Sequence, residues 1–464
     1  MTIWNLNEID KALTCKFQIK ENLKFKDISI DSRTIKKGNL FIPISGKNFD
    51  GHDFINDAFK NGAIASLVEE KKINQIKKNK SRLITVKNTL NSLKKLAIYS
   101  RQRSNNTEFI CITGSSGKTT LKEWLKSIIE LKLKTHCNFG NFNNEIGMPL
   151  TLARMPRNTK ICILELGMNK PGEIKKLTKI AKPSIAIITS IGNAHIGNFS
   201  GIKDIAHEKS QILQNLKQSS SAIIPKDCIF FPELKEIAKT NTKNIYTFGY
   251  AEKSNFKIFK KPNTQGLSIF SIMEEKIKLR TRRKFKYIWE MNVSIILGIL
   301  KILNIPYFEL KKEIENLSLI KGRGAVYKIT INKKKITLID ESYNSNPNSL
   351  EQSLKNLCSK TYFFKRKICI IGDMMELGKF SKKLHKNALK AVLSAKPDVV
   401  LTLGKFTKYI HVNLPKKIKA FHFNNFKNVY NTLLEVLKDN DVVMIKGSNS
   451  TGLNKVSKKL IKKK

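Results

Sequence analysis

The chain has 464 residues, 41% of them hydrophobic, about three times an ordinary domain, which excludes a mini-protein held by disulfides or a metal. Lys and Arg number 86 against 37 Asp and Glu, a net charge of +49 that raises nucleic acid or an anionic membrane as a partner. Only 11 of the basic residues are Arg, the bidentate group that groove readers favour, and the lysines run along the whole chain. The expectation is therefore compositional bias and no nucleic-acid partner.

The seven cysteines, Cys15, Cys111, Cys137, Cys162, Cys228, Cys358 and Cys369, form no C-x-x-C pair. Several lie in apolar runs, as small buried hydrophobes in a reducing compartment do. The N-terminus lacks an apolar signal core, and the greasiest helix-like stretch, residues 295–303, is about half a membrane span and carries Lys301. A cytoplasmic monomer without an integral membrane segment is expected.

Residues 1–103 read as a small α/β domain, with short strands near 28–30 and 40–42 and a Lys-rich helix over 88–103. From 104 to 317, apolar runs at 108–113, 160–165, 184–191 and 222–225 alternate with amphipathic segments, the pattern of a parallel sheet covered by helices. A Gly-containing break at 317–324 opens the third domain, 318–464. There two strand-like runs around a turn at 333–335 precede strands at 367–372, 398–403 and 441–446, a Rossmann-like order. The fold class is thus α/β in three domains, with a P-loop-type parallel sheet at the centre. Residues 462–464 read as a frayed end.

The sharpest motif is Thr113-Gly114-Ser115-Ser116-Gly117-Lys118-Thr119-Thr120, set between a strand and a helix. In that context backbone N–H groups and a helix N-terminus cradle phosphates, Lys118 neutralises the β/γ oxygens and the Thr119 hydroxyl holds Mg²⁺. Ile112 stands where the usual pattern has its first Gly. Further polar clusters follow at strand ends, where open α/β sheets bind ligands. Residues 138–149 crowd Asn143 and Asn144 among other amides and glycines, suited to contacting nucleotide phosphates or a metal's waters on the substrate side, Glu165 ends its strand, and His195 follows the next. Lys209 lies on an amphipathic helix; its spacing alone reads as a solvated lysine. In the last third, Asp340, Glu341, Tyr343, Asn344 and Asn346 share one strand-to-helix junction, and G-D-M-M-E-L-G and Lys446-Gly-Ser448 end later strands.

Taken together, Asp31-Ser32-Arg33, Gly46, Asp50-Gly-His52, T-G-S-S-G-K-T-T, N-F-N-N-E-I-G, E-L-G-M, Asn193-Ala-His195, residues 340–347, G-D-M-M-E-L-G with His385, and Lys446-Gly-Ser448 resemble the Mur ligases of peptidoglycan synthesis over nearly the whole chain. The resemblance implies an ATP-dependent ligase that adds D-alanyl-D-alanine to a UDP-N-acetylmuramoyl-tripeptide through an acyl phosphate. Lys118 and two Mg²⁺ ions would neutralise the meeting anions, with Thr119 and Glu165 on the first ion and His195 and a carbamylated Lys209 on the second. Asn292 and Arg323 would contact ATP from the far side of the cleft, beside Asp340 and Glu341. Ser32, Arg33 and Gly46 would hold the uridine diphosphate end, and Tyr343, Asn344 and Asn346 the dipeptide. The GKTT sequence sets the chain apart from folylpolyglutamate synthase-like relatives, which carry GKG[ST].

The chain departs from the family pattern in three respects. Ile288 and Trp289 stand where a His is usual before Asn292, Glu341 replaces the second Asp of an acidic pair, and Gln211 replaces a Glu two residues after Lys209.

Overall fold

A computed structural model describes residues 2–462 except 15, 18–22, 47, 261–265, 282–285, 359–361 and 363–364. Cys15 and the last two lysines lie outside the described residues.

The first described sheet has the strand order Lys16–Phe17, Leu83–Val86, Ala63–Glu69, Asn39–Phe41, Asp27–Ser29. The Lys-rich helix expected next spans Thr89–Gln102, capped by Asn88, whose side chain accepts from the Asn91 N–H. The core of this unit is not self-contained. Leu150 and Ala153, from the helix Gly147–Ala153 of the next unit, are buried in it with Trp4, Leu40 and Leu96. Trp4 Nε1 donates to the Ala153 carbonyl at 2.7 Å, and the Arg103 guanidinium lies 4.0 Å over the Trp4 ring.

The central sheet runs Thr135–Cys137, Ile161–Glu165, Glu108–Thr113, Ile185–Ile188, Ser221–Pro225, Asn244–Gly249 and Phe256–Ile258, all parallel. The parallel order holds for the four strands the sequence marked, three unmarked strands, Thr135–Cys137, Asn244–Gly249 and Phe256–Ile258, extend it, and an unexpected hairpin, Leu267–Ile272 and Glu275–Arg280, then adds two antiparallel strands. Its two-residue turn, Met273-Glu274, has φ of 46° and 74°. Such a primed turn usually announces itself through Asn or Gly, and neither residue is present to do so.

The greasy 295–303 stretch lies in the helix Lys286–Ile302 but for Leu303, and the helix packs its apolar face on this sheet. Among the described residues no helix is long and apolar enough to cross a membrane. Cys111, Cys162 and Cys369 are buried, and burial pushes the Cys111 and Cys369 thiols up to about 12. Cys137, Cys228 and Cys358 are only half-buried, so the expectation of small core hydrophobes fits three of the six described.

The third sheet has the order Ala325–Ile331, Lys334–Glu341, Val442–Lys446, Lys367–Gly372, Val399–Leu403, Lys419–Phe423, with only the first pair antiparallel. The first hairpin turns at Asn332-Lys333, both at positive φ, one residue earlier than the lysine run suggested. Asn tolerates the left-handed region better than Lys, and it sets the register.

Candidate active site

The Gly-rich loop, the candidate phosphate loop, leaves the strand Glu108–Thr113 and enters the helix Lys118–Ile129. Gly114 has φ 150°, and a Cβ there would stand 1.9 Å from Thr189 Oγ1, so only glycine fits. Residues past the neighbouring strand brace the loop. The Ser115 N–H donates to the Ser190 carbonyl at 2.8 Å, the Ser116 N–H to Ser190 Oγ at 2.9 Å, and Ser115 Oγ to the Gly192 carbonyl at 2.9 Å. Thr113 Oγ1 donates to the Leu166 carbonyl at 3.0 Å, and Thr120 is buried. Gly117 adopts φ 87° just before the helix, turning the loop into it.

Lys118 Nζ folds back onto the Gly114 carbonyl at 2.6 Å. Loss of water pushes its ammonium below the ordinary lysine value; Glu165 opposes that, and Arg323 adds to it. Thr119 Oγ1 donates to Glu165 Oε2 at 2.8 Å, and Asn143 Nδ2 to Glu165 Oε1 at 2.9 Å. Three separate segments thus meet on one buried carboxylate. Asn144 does something else: its Oδ1 accepts from the Gly147 N–H at 2.9 Å and starts the following helix.

His195 holds φ 62° and points Nδ1 to within 2.6 Å of Glu376 Oε2, ion-pair distance but outside hydrogen-bond alignment. Glu376, from the third unit, also has positive φ, 63°. Contact with His195 holds its carboxyl below the ordinary glutamate value against the opposing effect of burial. Beside the pair, the Gly197 N–H donates to the Glu376 carbonyl at 2.9 Å, and a Cβ on Gly197 would stand 2.4 Å from the Gly378 nitrogen. A second crossing joins the Asn193 N–H to Asn348 Oδ1 at 3.0 Å.

Lys209 is buried, and its ammonium has no hydrogen bond or ion pair among the described residues. Burial first, then the nearby Lys118 cation, pushes it well below the ordinary lysine value, with Glu208 opposing. Its spacing alone suggested a solvated surface lysine; the helix instead turns it inward toward the phosphate loop. Gln211 Nε2 contacts His207 Nε2 at 3.1 Å.

In the third unit the Arg323 guanidinium stacks 4.2 Å over the Tyr343 ring, and the Tyr343 N–H donates to the Gly322 carbonyl at 3.0 Å. The buried Asp340 spends both carboxylate oxygens on the chain: Oδ2 accepts from the Gly322 N–H at 2.9 Å and Oδ1 from Ser342 Oγ at 2.6 Å. It shapes the turn that presents Arg323. Glu341 Oε2 pairs with Lys446 Nζ at 3.3 Å. Asn346 caps the helix Pro347–Leu357, accepting from the Ser349 N–H, and Asn344 Oδ1 accepts from the Ser345 N–H. Asn292 Nδ2 donates to the Ile288 carbonyl at 2.7 Å within its own helix.

Far along the first unit, Ser32 is buried, with its carbonyl accepting from Asn61 Nδ2. Arg33 is exposed and forked onto Asp31 at 2.9 and 2.8 Å. The Gly46 N–H donates to the Phe49 carbonyl beside an Asp50, His52 and Lys72 cluster. Glu376 and Asn348 had no assigned role in the sequence. The glycine-flanked glutamate of G-D-M-M-E-L-G, at a strand end, was the one available signal.

A Gly-rich strand-to-helix loop, a carboxylate fastened to its threonine and two further α/β units, the third touching the loop's surroundings, make a three-unit α/β protein with a P-loop-type central sheet. The family models agree: residues 24–114 match the Mur ligase family catalytic domain, 112–286 the Mur ligase middle domain and 327–449 the Mur ligase glutamate ligase domain. The UDP-N-acetylmuramoyl-tripeptide–D-alanyl-D-alanine ligase of Rickettsia prowazekii is 33% identical, over 98% of this chain and 99% of that protein. The chain belongs to the Mur ligase family. In fold it is similar to MurF of Acinetobacter baumannii (TM-score 0.84, 24% identity, 99% of each chain) and to MurF of Thermotoga maritima in complex with ADP (TM-score 0.76, 25% identity, 94% of this chain and 97% of that one).

Proposed function

We infer that this chain is an ATP-dependent ligase that joins D-alanyl-D-alanine to a UDP-N-acetylmuramoyl-tripeptide, as its full-length relatives are named. The observation that carries the reading is the meeting of the second and third units beside the loop: Thr119 holds Glu165 at 2.8 Å, Glu376 stands 2.6 Å from His195, and Asn348 accepts from the Asn193 N–H at 3.0 Å. Transfer of phosphate from ATP to a carboxylate brings two anions together, and cations fixed beforehand on both sides of the meeting point are what that step requires.

In the first step the tripeptide carboxylate attacks the γ-phosphorus, the bond to the β-phosphate oxygen breaks, and ADP leaves. In the second the dipeptide amine attacks the acyl carbon, and phosphate departs with the C–O electron pair as the amine gives up a proton. Lys118 sits at the loop to neutralise the transferring phosphoryl oxygens, and Arg323 approaches from the opposite unit. The paired crossings at His195 and Asn193 hold the third unit down, which keeps water from the acyl phosphate.

The hydroxyl of Thr119 and the carboxylate of Glu165, 2.8 Å apart and both hard oxygen donors, fit a Mg²⁺ ion. Bound there, Mg²⁺ would supply charge neutralisation at the phosphate oxygens. His195 with Lys209 fits a second ion only if Lys209 is carbamylated, because an ammonium repels a cation. Burial, which pushes the Lys209 ammonium well below the ordinary lysine value, favours the uncharged amine that takes up carbon dioxide. Ser32, Arg33 and Gly46 form the candidate surface for the uridine diphosphate end, and Tyr343 and Asn344 for the dipeptide.

The test is phosphate release from ATP with each substrate withheld in turn. Release that requires both the nucleotide-linked tripeptide and D-alanyl-D-alanine, and falls at least ~100-fold in Lys118→Ala, is expected. Turnover unchanged without the dipeptide would overturn the reading.

A further inference from the structure

Lys122 lies one helical turn beyond Thr119 on the helix Lys118–Ile129, and its side chain is wholly enclosed. A buried ammonium persists only when its protons are used. Nζ donates to the Asn138 carbonyl at 2.6 Å and the Gly140 carbonyl at 3.3 Å, and stands 2.8 Å from Glu123 Oε1.

Both carbonyls belong to the loop that carries Asn143. That loop is laced to Glu165 at three points. Asn138 Oδ1 accepts from the Glu165 N–H at 2.9 Å, Asn138 Nδ2 donates to the Glu165 carbonyl at 2.9 Å, and Asn143 Nδ2 donates to Glu165 Oε1 at 2.9 Å. Close packing reinforces the lacing: the Gly167 N–H donates to the Asn143 carbonyl, and a Cβ on Gly167 would meet Asn143 Oδ1 at 2.6 Å. One helix therefore reaches the same carboxylate twice, directly through Thr119 on Oε2 and through Lys122, the loop and Asn143 on Oε1.

We propose that Lys122 is a positioning residue: its ammonium clamps the 138–140 backbone so that Asn143 holds the Glu165 carboxylate where one oxygen and the Thr119 hydroxyl face a divalent cation together. The proposal rests on the reading of Thr119 and Glu165 as the cation-holding pair. Lys122 touches no reacting atom, and the phosphate-loop pattern ends at Thr120 without assigning it a role.

The test uses Mn²⁺ as the probe, titrated by electron paramagnetic resonance into the full chain with ADP present, so that no turnover is needed. Lys122→Met keeps the stem and removes the donor. It is expected to bind Mn²⁺ about 10-fold or more weakly, as loss of a group that orients a metal ligand does, while ADP affinity in chelator stays at the wild-type value. Asn143→Ala should give a similar loss, and the double variant no more than the larger single loss, because both act on Glu165 by one route. Wild-type Mn²⁺ affinity in Lys122→Met, or losses that simply add, would overturn the proposal. If Lys122→Met does not fold, Lys122→Gln carries the same comparison: weakened Mn²⁺ binding supports the clamp and unweakened binding refutes it. A wild-type chain that takes up no Mn²⁺ with ADP defeats the reading of Thr119 and Glu165 itself.

Discussion

His195 and Glu376 meet 2.6 Å apart across the seam between the second and third units, and both hold left-handed backbone. Left-handed conformation costs a non-glycine residue about 1 kcal/mol or more, so two such residues facing each other mark a place where structure serves the site. Glu376→Ala should lower kcat by about 10-fold or more with little change in the KM for ATP, because it removes the group that orients His195 and leaves the phosphate loop intact. Steady-state kinetics checks it; an unchanged kcat would show the pair to be incidental.

Gly197 offers a test of closure by bulk alone. Its added Cβ would lie 2.4 Å from the Gly378 nitrogen, against backbone that cannot rotate away. Gly197→Ala should wedge the units apart, and a shift of about 1 Å at the reacting groups costs up to ~100-fold in rate. Solution scattering with nucleotide and tripeptide bound should record a larger radius of gyration than the wild type, and ADP binding should be nearly unaffected.

Asp50 makes the first unit acid-sensitive. Burial pushes its carboxyl up, but Lys72, the His52 N–H and ring, and the Ser45 hydroxyl together hold it well below the 3.8 of a free aspartate. A depressed folded value means the stabilisation is complete above pH 3.8 and is lost as the pH falls through the folded value. Asp50→Asn should therefore cost stability at neutral pH, about 1 kcal/mol after solvent screening, with the difference vanishing in acid. Urea unfolding across that pH range measures it.

The Glu341 and Lys446 pair is largely enclosed. Glu341→Ala leaves the Lys446 ammonium with the Asn344 carbonyl, 3.2 Å away, as its remaining partner. Stranding a buried charge costs about 3 kcal/mol, so calorimetry should show a lowered melting transition. Substituting Lys446→Met together with Glu341→Leu should recover most of the loss.

The Gly-rich turn between a strand and a helix was readable because the three are contiguous, and the placement of Glu165 and His195 at strand ends was readable because parallel sheets deliver their loops to one edge. What escaped the sequence depends on packing between distant segments. Glu376 meets His195 from 181 residues away, and Asn348 meets Asn193 from 155. Neither distance leaves a local mark. Amides such as Asn144 and Asn346 carry the opposite lesson: a cluster of short polar side chains looks like a ligand site and also caps helices, and only the backbone tells the two uses apart. Lys209 shows a third limit, since one lysine among 75 has no distinguishing pattern until its helix is packed.

The helix Gly147–Ala153 gives the order of folding a direction. Leu150 and Ala153 complete the core of the first unit, and the Trp4 indole has its hydrogen-bond acceptor there. On the ribosome, the first hundred residues will emerge with that core unfilled and the Trp4 indole unpaired. Their final packing must wait until the chain is made past Ala153, so the N-terminal unit becomes native only after part of its successor exists.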